Sequence, residues 1–160
     1  MPDTVELEVA TPERLLVREE VTEVQVPGKN GYMGILPGHA ALLSQLGSGV
    51  LDYVAGGQRR YLAVAGGFLE VLPGQVRVLA DVAERAEDID TARARTALQR
   101  AQQQIGGYDP DLALAAMDRA QARMAAAERK LCRGSQSGYP LRALTSGRGS
   151  ILWAWPWECI

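Results

Sequence analysis

Four arginines in the second half of the chain fall into two spaced pairs, Arg93 with Arg100 and Arg119 with Arg123. On a helix, Arg93 and Arg100 stand two turns apart on one face, while Arg119 and Arg123, at i and i+4, share a face of another. If those faces converge, four guanidinium groups surround a space suited to a polyphosphate, each offering a planar fork of donors. The plainer alternative is a solvated charged surface, with Arg119 and Arg123 close to Asp118 and Glu128. Spacing alone leaves both open. The chain has no Gly-x-x-x-x-Gly-Lys-Ser/Thr phosphate loop, so any nucleotide held here is an effector and not a substrate. His39 is the sole histidine. A catalytic role would require a nucleophile and an orienting acid, and Ser44 and Asp52 qualify by type only, so His39 is expected at a loop or an interface. Cys132 and Cys159 have no metal-ligand spacing and give no disulfide framework. No enzyme chemistry is expected.

Composition narrows the setting. The chain has 160 residues, 47% of them hydrophobic, with a formal net charge of −2. That suffices for one domain with an appendage, and offers no electrostatic footprint for nucleic acid. No apolar run approaches the ~20 residues of a membrane span, and the acidic first 25 residues are unlike a signal peptide. The expectation is a soluble intracellular chain that meets a membrane only through partners.

The elements that must position the arginines follow from periodicity. Val5, Leu7 and Val9 alternate with Glu6 and Glu8, which reads as a half-buried strand. Further strands are expected near residues 15–17, 24–26, 33–36, 40–46, 50–54, 61–64, 68–72 and 76–80. Turns fall at Pro27-Gly28, Pro37-Gly38, Gly56-Gly57 and Pro73-Gly74. About ten short strands in half the chain is the density of a β-sandwich or barrel, and a sandwich is the economical choice. Gly66-Gly67, inside a strand-like run, reads either as a corner of the sandwich or as a docking point for another chain.

At about Asp81 the composition shifts to Ala, Arg, Gln and Glu, and strand alternation is taken to end. Asp88 or Asp90 caps a first helix, which runs to about residue 105. Gly106-Gly107 stops it, and Asp109-Pro110 starts a second helix that runs to about residue 130. So short a turn makes the pair an antiparallel hairpin. Its seam reads Ala94, Leu98, Ala101 and Ile105 against Ala113, Met117, Ala120, Met124, Ala127 and Leu131. An alanine seam buries little apolar area, so the hairpin should open at modest cost. The fold class is therefore α+β, with a β-sandwich over residues 1–86, a helical hairpin over 87–131 and an irregular tail over 132–160.

Three stretches carry a family resemblance. Gly34-Ile35-Leu36-Pro37-Gly38-His39 and Val64-Ala65-Gly66-Gly67-Phe68-Leu69-Glu70-Val71 resemble signatures of the epsilon subunit of bacterial F-type ATP synthases. Ile89-Asp90-Thr91-Ala92-Arg93-Ala94 resembles that family's nucleotide-binding motif. The resemblance implies a regulatory ATP site at Glu84, Ile89, Asp90, Arg93, Ala94, Arg100, Arg119 and Arg123, with no cofactor required. Asp90 would hold a sugar hydroxyl or the adenine amino group. It implies a non-catalytic rotor subunit of the central stalk, bound to the gamma subunit and the c-subunit ring at the cytoplasmic face of the bacterial membrane. When the hairpin extends it would reach the alpha and beta subunits and inhibit ATP hydrolysis. Gly31, Tyr32 and His39 are the implied partner contacts. Tyr32 departs from the family, many of whose members carry an acid there, and the turn at Gly106-Gly107-Tyr108 is shortened. The alternative is a free-standing β-sandwich protein-binding module with an Arg-rich helical appendage.

The resemblance stops near Leu131. Beyond it lie both cysteines and Trp153, Trp155 and Trp157. An aromatic docking peptide is one reading of the tail; read-through or a shifted frame is the simpler one.

Overall fold

A computed structural model describes residues 3–105 and 109–135. The expectations about the 106–108 turn and about residues 136–160 lie outside them.

Among the described residues ten strands precede two helices. One sheet has the order β2-β1-β9-β8-β5 and the other β10-β7-β6-β3-β4. In the first, β1 (Val5–Ala10) pairs antiparallel with β2 (Leu15–Val21) and parallel with β9 (Gln75–Leu79). β8 (Phe68–Leu72) joins β9 through the Pro73-Gly74 turn and pairs on its other side with β5 (Leu42–Gln45). In the second, β6 (Ser48–Ala55) and β7 (Gln58–Ala65) form the long central hairpin, closed at Gly56-Gly57. Both glycines there have positive φ, +56° and +74°, as a two-residue hairpin turn requires. β3 (Glu23–Gly28) and β4 (Gly31–Ile35) complete one side of that sheet.

Alternation fills the space between the sheets. Leu7, Val9, Val24, Val26, Leu51, Leu62, Leu69, Val76 and Val78 point inward and form a continuous core. Gly66-Gly67 is a corner, where the chain leaves β7 in one sheet and enters β8 in the other. A Cβ on Gly67, at φ +101°, would run into the Leu79 carbonyl oxygen. Strand structure does not end at Asp81 as composition suggested. β10 (Val82–Arg85) pairs antiparallel with β7. Its four residues have too little alternation to register as a strand in isolation; β7 supplies the template.

The helices are α1 (Thr91–Gln104) and α2 (Pro110–Ser135), so α2 continues past Leu131. Asp90 caps α1, its Oδ1 accepting from the Arg93 N–H at 3.0 Å, and Asp109 Oδ1 accepts from the Leu112 N–H at 3.1 Å. α1 and α2 pack together along Ala94, Ala101, Ala113, Ala120 and Ala127, all buried. The ends of the expected seam are not part of it: Ile105 is 40% exposed and Leu131 70%. α2 has a second buried stripe, which periodicity did not separate from the first. Ala122 and Ala126, with Ala125 beside them, rest on Val50, Tyr61, Ala63 and Ala86 of the sandwich.

Candidate functional site

The start of α1 faces the edge strand β10 across a shared cleft, and α2 crosses the neighbouring strands β6 and β7. The cleft is about 700 Å³, within the size range of small-molecule sites. Glu84 and Ala83 contribute from β10, and Asp88, Ile89 and Asp90 from the segment before α1. Arg93, Ala94, Thr96, Ala97 and Arg100 line it from α1, and Arg123 enters from α2. Seven of the eight residues expected at a nucleotide site therefore border one space.

Arg119 is the eighth, and it does not line that cleft. With Ala63, Val64, Ala65, Val82 and Ala122 it borders a small pocket that Arg123, one turn along α2, also lines, so Val82 and Arg123 border both spaces. Arg119 and Arg123, at i and i+4, share a face of α2, and of the two only Arg123 also reaches the larger cleft. Arg14, from the turn between β1 and β2, joins the cleft instead. No sequence signal near Arg14 ties it to the start of α1, because that contact is made by the topology alone.

Charge in the cleft is nearly balanced. Arg14, Arg93, Arg100 and Arg123 face Glu84, Asp88 and Asp90. Two of the acids already have work. Arg123 Nε donates to Glu84 Oε2 at 2.9 Å, a half-buried ion pair that ties α2 to β10. Asp90 serves as the cap of α1 through Oδ1. A phosphate entering here would compete with Glu84 for Arg123, and would find Arg93 and Arg100 on the same helix face.

A second polar cluster sits on the outer face of the β6–β7 sheet. Asp52, on β6, is 1% exposed, the only polar residue so deeply buried among the described residues. Arg59 Nη1 donates to its Oδ1, and Arg59 Nη2 donates to Glu23 Oε2 at 2.8 Å. From α2, Arg129 Nη1 lies 3.6 Å from Asp52 Oδ2. Burial pushes the Asp52 carboxyl up from its ordinary value, against the pull of Arg59 and Arg129 and with help from Glu23. Burial likewise works against the Arg59 charge, but Asp52 and Glu23 outweigh it and hold the guanidinium up.

Of the residues expected at partner contacts, Gly31 and Tyr32 border one crevice and His39 lies between β4 and β5. Gly31 has φ +136°, and a crevice of about 290 Å³ runs from Gly28 through Lys29, Asn30, Gly31 and Tyr32 to Ser44 and Gln45. Tyr32 is 51% exposed, and its Oη accepts from the Val50 N–H at 3.2 Å. His39 is exposed, with Nδ1 2.8 Å from the Ala40 carbonyl oxygen. Ser44 lies on β5 in the other sheet from Asp52, so no triad forms among them. Among the described residues no group of three His, Cys, Asp or Glu is placed to hold a metal, and no helix is long and apolar enough to cross a membrane.

Residues 4–86 match the family described as ATP synthase, Delta/Epsilon chain, beta-sandwich domain. The ATP synthase epsilon chain of Solibacter usitatus is 63% identical over 134 residues, covering 81% of this chain and 100% of that one. The epsilon chain of Koribacter versatilis is 50% identical over 111 residues, 69% of this chain and 78% of its own length. Among solved structures, a chain of the Euglena gracilis mitochondrial ATP synthase, seen with OSCP, F1 and the c-ring, superposes with a TM-score of 0.67. It has 25% identity, and the match covers 82% of this chain and 83% of that one. With a sandwich matched throughout and an epsilon chain matched end to end, this chain belongs to the epsilon family of ATP synthase subunits.

Proposed function

We propose that the chain is the epsilon subunit of a bacterial F-type ATP synthase, a non-catalytic part of the central stalk that couples to rotation. The observation that carries this reading is the 63% identity to an epsilon chain along that relative's whole length. The sandwich would bind the gamma subunit and face the c-subunit ring, with the Gly31–Tyr32 end and His39 as contacts. The subunit would sit at the cytoplasmic face of the membrane through those partners. Purification of the tagged chain from its source membranes tests this. Gamma, alpha and beta subunits should accompany it in stoichiometric yield; a chain recovered without them would be a free-standing binding module.

The hairpin is the regulatory element in this reading. Held on the sandwich, it leaves the catalytic head free; extended, it reaches the alpha and beta subunits and inhibits hydrolysis. ATP is its effector, taken in the cleft by Arg93, Arg100 and Arg123, with Glu84, Ile89, Asp90 and Ala94 around the remainder of the molecule. Arg119, one turn away, would join only if its side chain swung toward the phosphates. What supports this is the convergence of three guanidinium groups from two helices on one cleft of ligand size. A ligand bridging α1 and α2 would favour the closed hairpin by mass action. ATP titration of the full chain, with Arg93→Ala and Arg123→Ala alongside, is the test. Affinity should fall at least tenfold in each, roughly the loss of one charge-assisted contact. Unchanged affinity in both would remove the site.

A further inference from the structure

The apolar stripe by which α2 rests on the sandwich is Ala122, Ala125 and Ala126. Arg129 stands seven residues after Ala122 and three after Ala126, so it continues the same stripe, at a position where the pattern calls for another small apolar side chain. Its guanidinium reaches a carboxylate that is itself buried on the outer face of the sheet, Asp52 Oδ2 at 3.6 Å. On the sheet side Asp52 is already held by Arg59, which is fixed in turn by Glu23. A buried carboxylate is costly to leave short of cations, and Arg129 is the one that arrives with the helix. Arg129 keeps 46% of its side chain in contact with solvent, so it can leave with little desolvation to regain.

We propose that Asp52 and Arg129 form a polar latch, in which a preformed anionic socket on the sandwich positions the C-terminal half of α2 and sets how readily that helix lifts off. The latch lies apart from the ATP cleft and shares no residue with it. Its consequence for regulation rests on the reading of the hairpin as releasable; the contact itself does not. A latch of this kind gives the helix a defined seat that an all-alanine stripe lacks, because one alanine slides over a sheet much as the next does. It also makes the docked position addressable. A partner presenting its own carboxylate to Arg129 would compete with Asp52 and draw the helix away.

Hydrogen exchange of the full chain without nucleotide tests it, so that a failure here is separable from a failure of ATP binding. Arg129→Gln should speed exchange of α2 amides about twofold to fivefold, the range for a partly exposed ion pair, and leave the β1, β8 and β9 amides unchanged. Arg129→Lys should recover part of the loss. The same Arg129→Gln change made on an Asp52→Asn background should have no effect, because the socket is gone. An equal effect in both backgrounds, no effect in the parent, or faster exchange spread equally through the sheets would each overturn the latch.

Discussion

The interior of the sandwich and the seat of α2 are equally dry but differ in what they bury. Leu7, Leu51, Leu62 and Leu69 in the first are no more than 1% exposed, and Ala126 in the second is 0% exposed. Yet a leucine withdraws several methylene equivalents from water and an alanine only one, about 0.8 kcal/mol against about 2 kcal/mol or more per side chain. Fractional burial therefore says little about hold; area does. The sheets are fixed by area, whereas α2 is seated by methyl groups and by two ion pairs, Arg123 with Glu84 and Arg129 with Asp52. On the proposed reading of the hairpin as releasable, this division supplies one interface that stays shut and one that ligands and partners could reset.

Truncating the strong interface should give the largest effect. Leu7→Ala should lower stability by about 2–5 kcal/mol, read from the urea midpoint by circular dichroism. Enlarging the weak interface should give the next. Ala126→Leu has no room at 0% exposure and should lift α2, costing the docked state about 1–3 kcal/mol. That loss should show in exchange of α2 amides while β1 and β9 keep their protection. If the sheets lost protection in step with α2, the two interfaces would be one cooperative unit and the contrast between them would fail.

How much of this was readable in the chain follows the same divide. Val and Leu alternating with Glu, as in β1, announce a strand and its inner face, because a period of two is fixed by the backbone. Glycine corners were readable for a related reason: Gly66-Gly67 tolerates a conformation and a close approach that other residues do not. β10 was missed because four residues carry almost no period. The second stripe of α2 was missed because alanine lies on nearly every face of that helix, so composition could not tell the α1 side from the sandwich side. Arg93, Arg100 and Arg123 could be grouped through a motif and helical spacing. Arg14 could not, since only the packing of the β1–β2 turn near the start of α1 brings it there.

Asp90 offers a smaller and sharper test at the cleft. Its Oδ1 caps α1, so Asp90→Ala should cost about 1 kcal/mol of local helix stability, seen as faster exchange in the first turn. Asp90→Asn preserves a capping oxygen and should leave the helix intact. ATP affinity measured on the Asn variant then separates the two duties. A loss with the helix intact would mean that the carboxylate also meets the ligand, and no loss would mean that capping is its whole contribution.

The smallest expected effect concerns pH, and its sign decides between burial and pairing at the seat of α2. The groups facing Asp52 are Glu23 from β3, Arg59 and Tyr61 from β7 and Arg129 from α2. Burial is the largest influence and raises the folded-state pKa above the unfolded one, so the charged form is the one penalised. The penalty is present above the folded pKa and is relieved as pH falls through it toward the ordinary carboxylate value. Stability relative to Asp52→Asn, which cannot titrate, should therefore rise as pH drops from neutral toward the ordinary carboxylate value. In Arg129→Gln the rise should be steeper, because the carboxylate keeps Arg59 but loses the cation that α2 brings. Urea midpoints of the three proteins across that range supply the comparison. If the parent instead weakened relative to Asp52→Asn on acidification, the two arginines would outweigh burial. Either way protonation removes the charge that Arg129 pairs with, so the latch itself slackens in acid, while the sign of the global change reports how burial and pairing balance at Asp52.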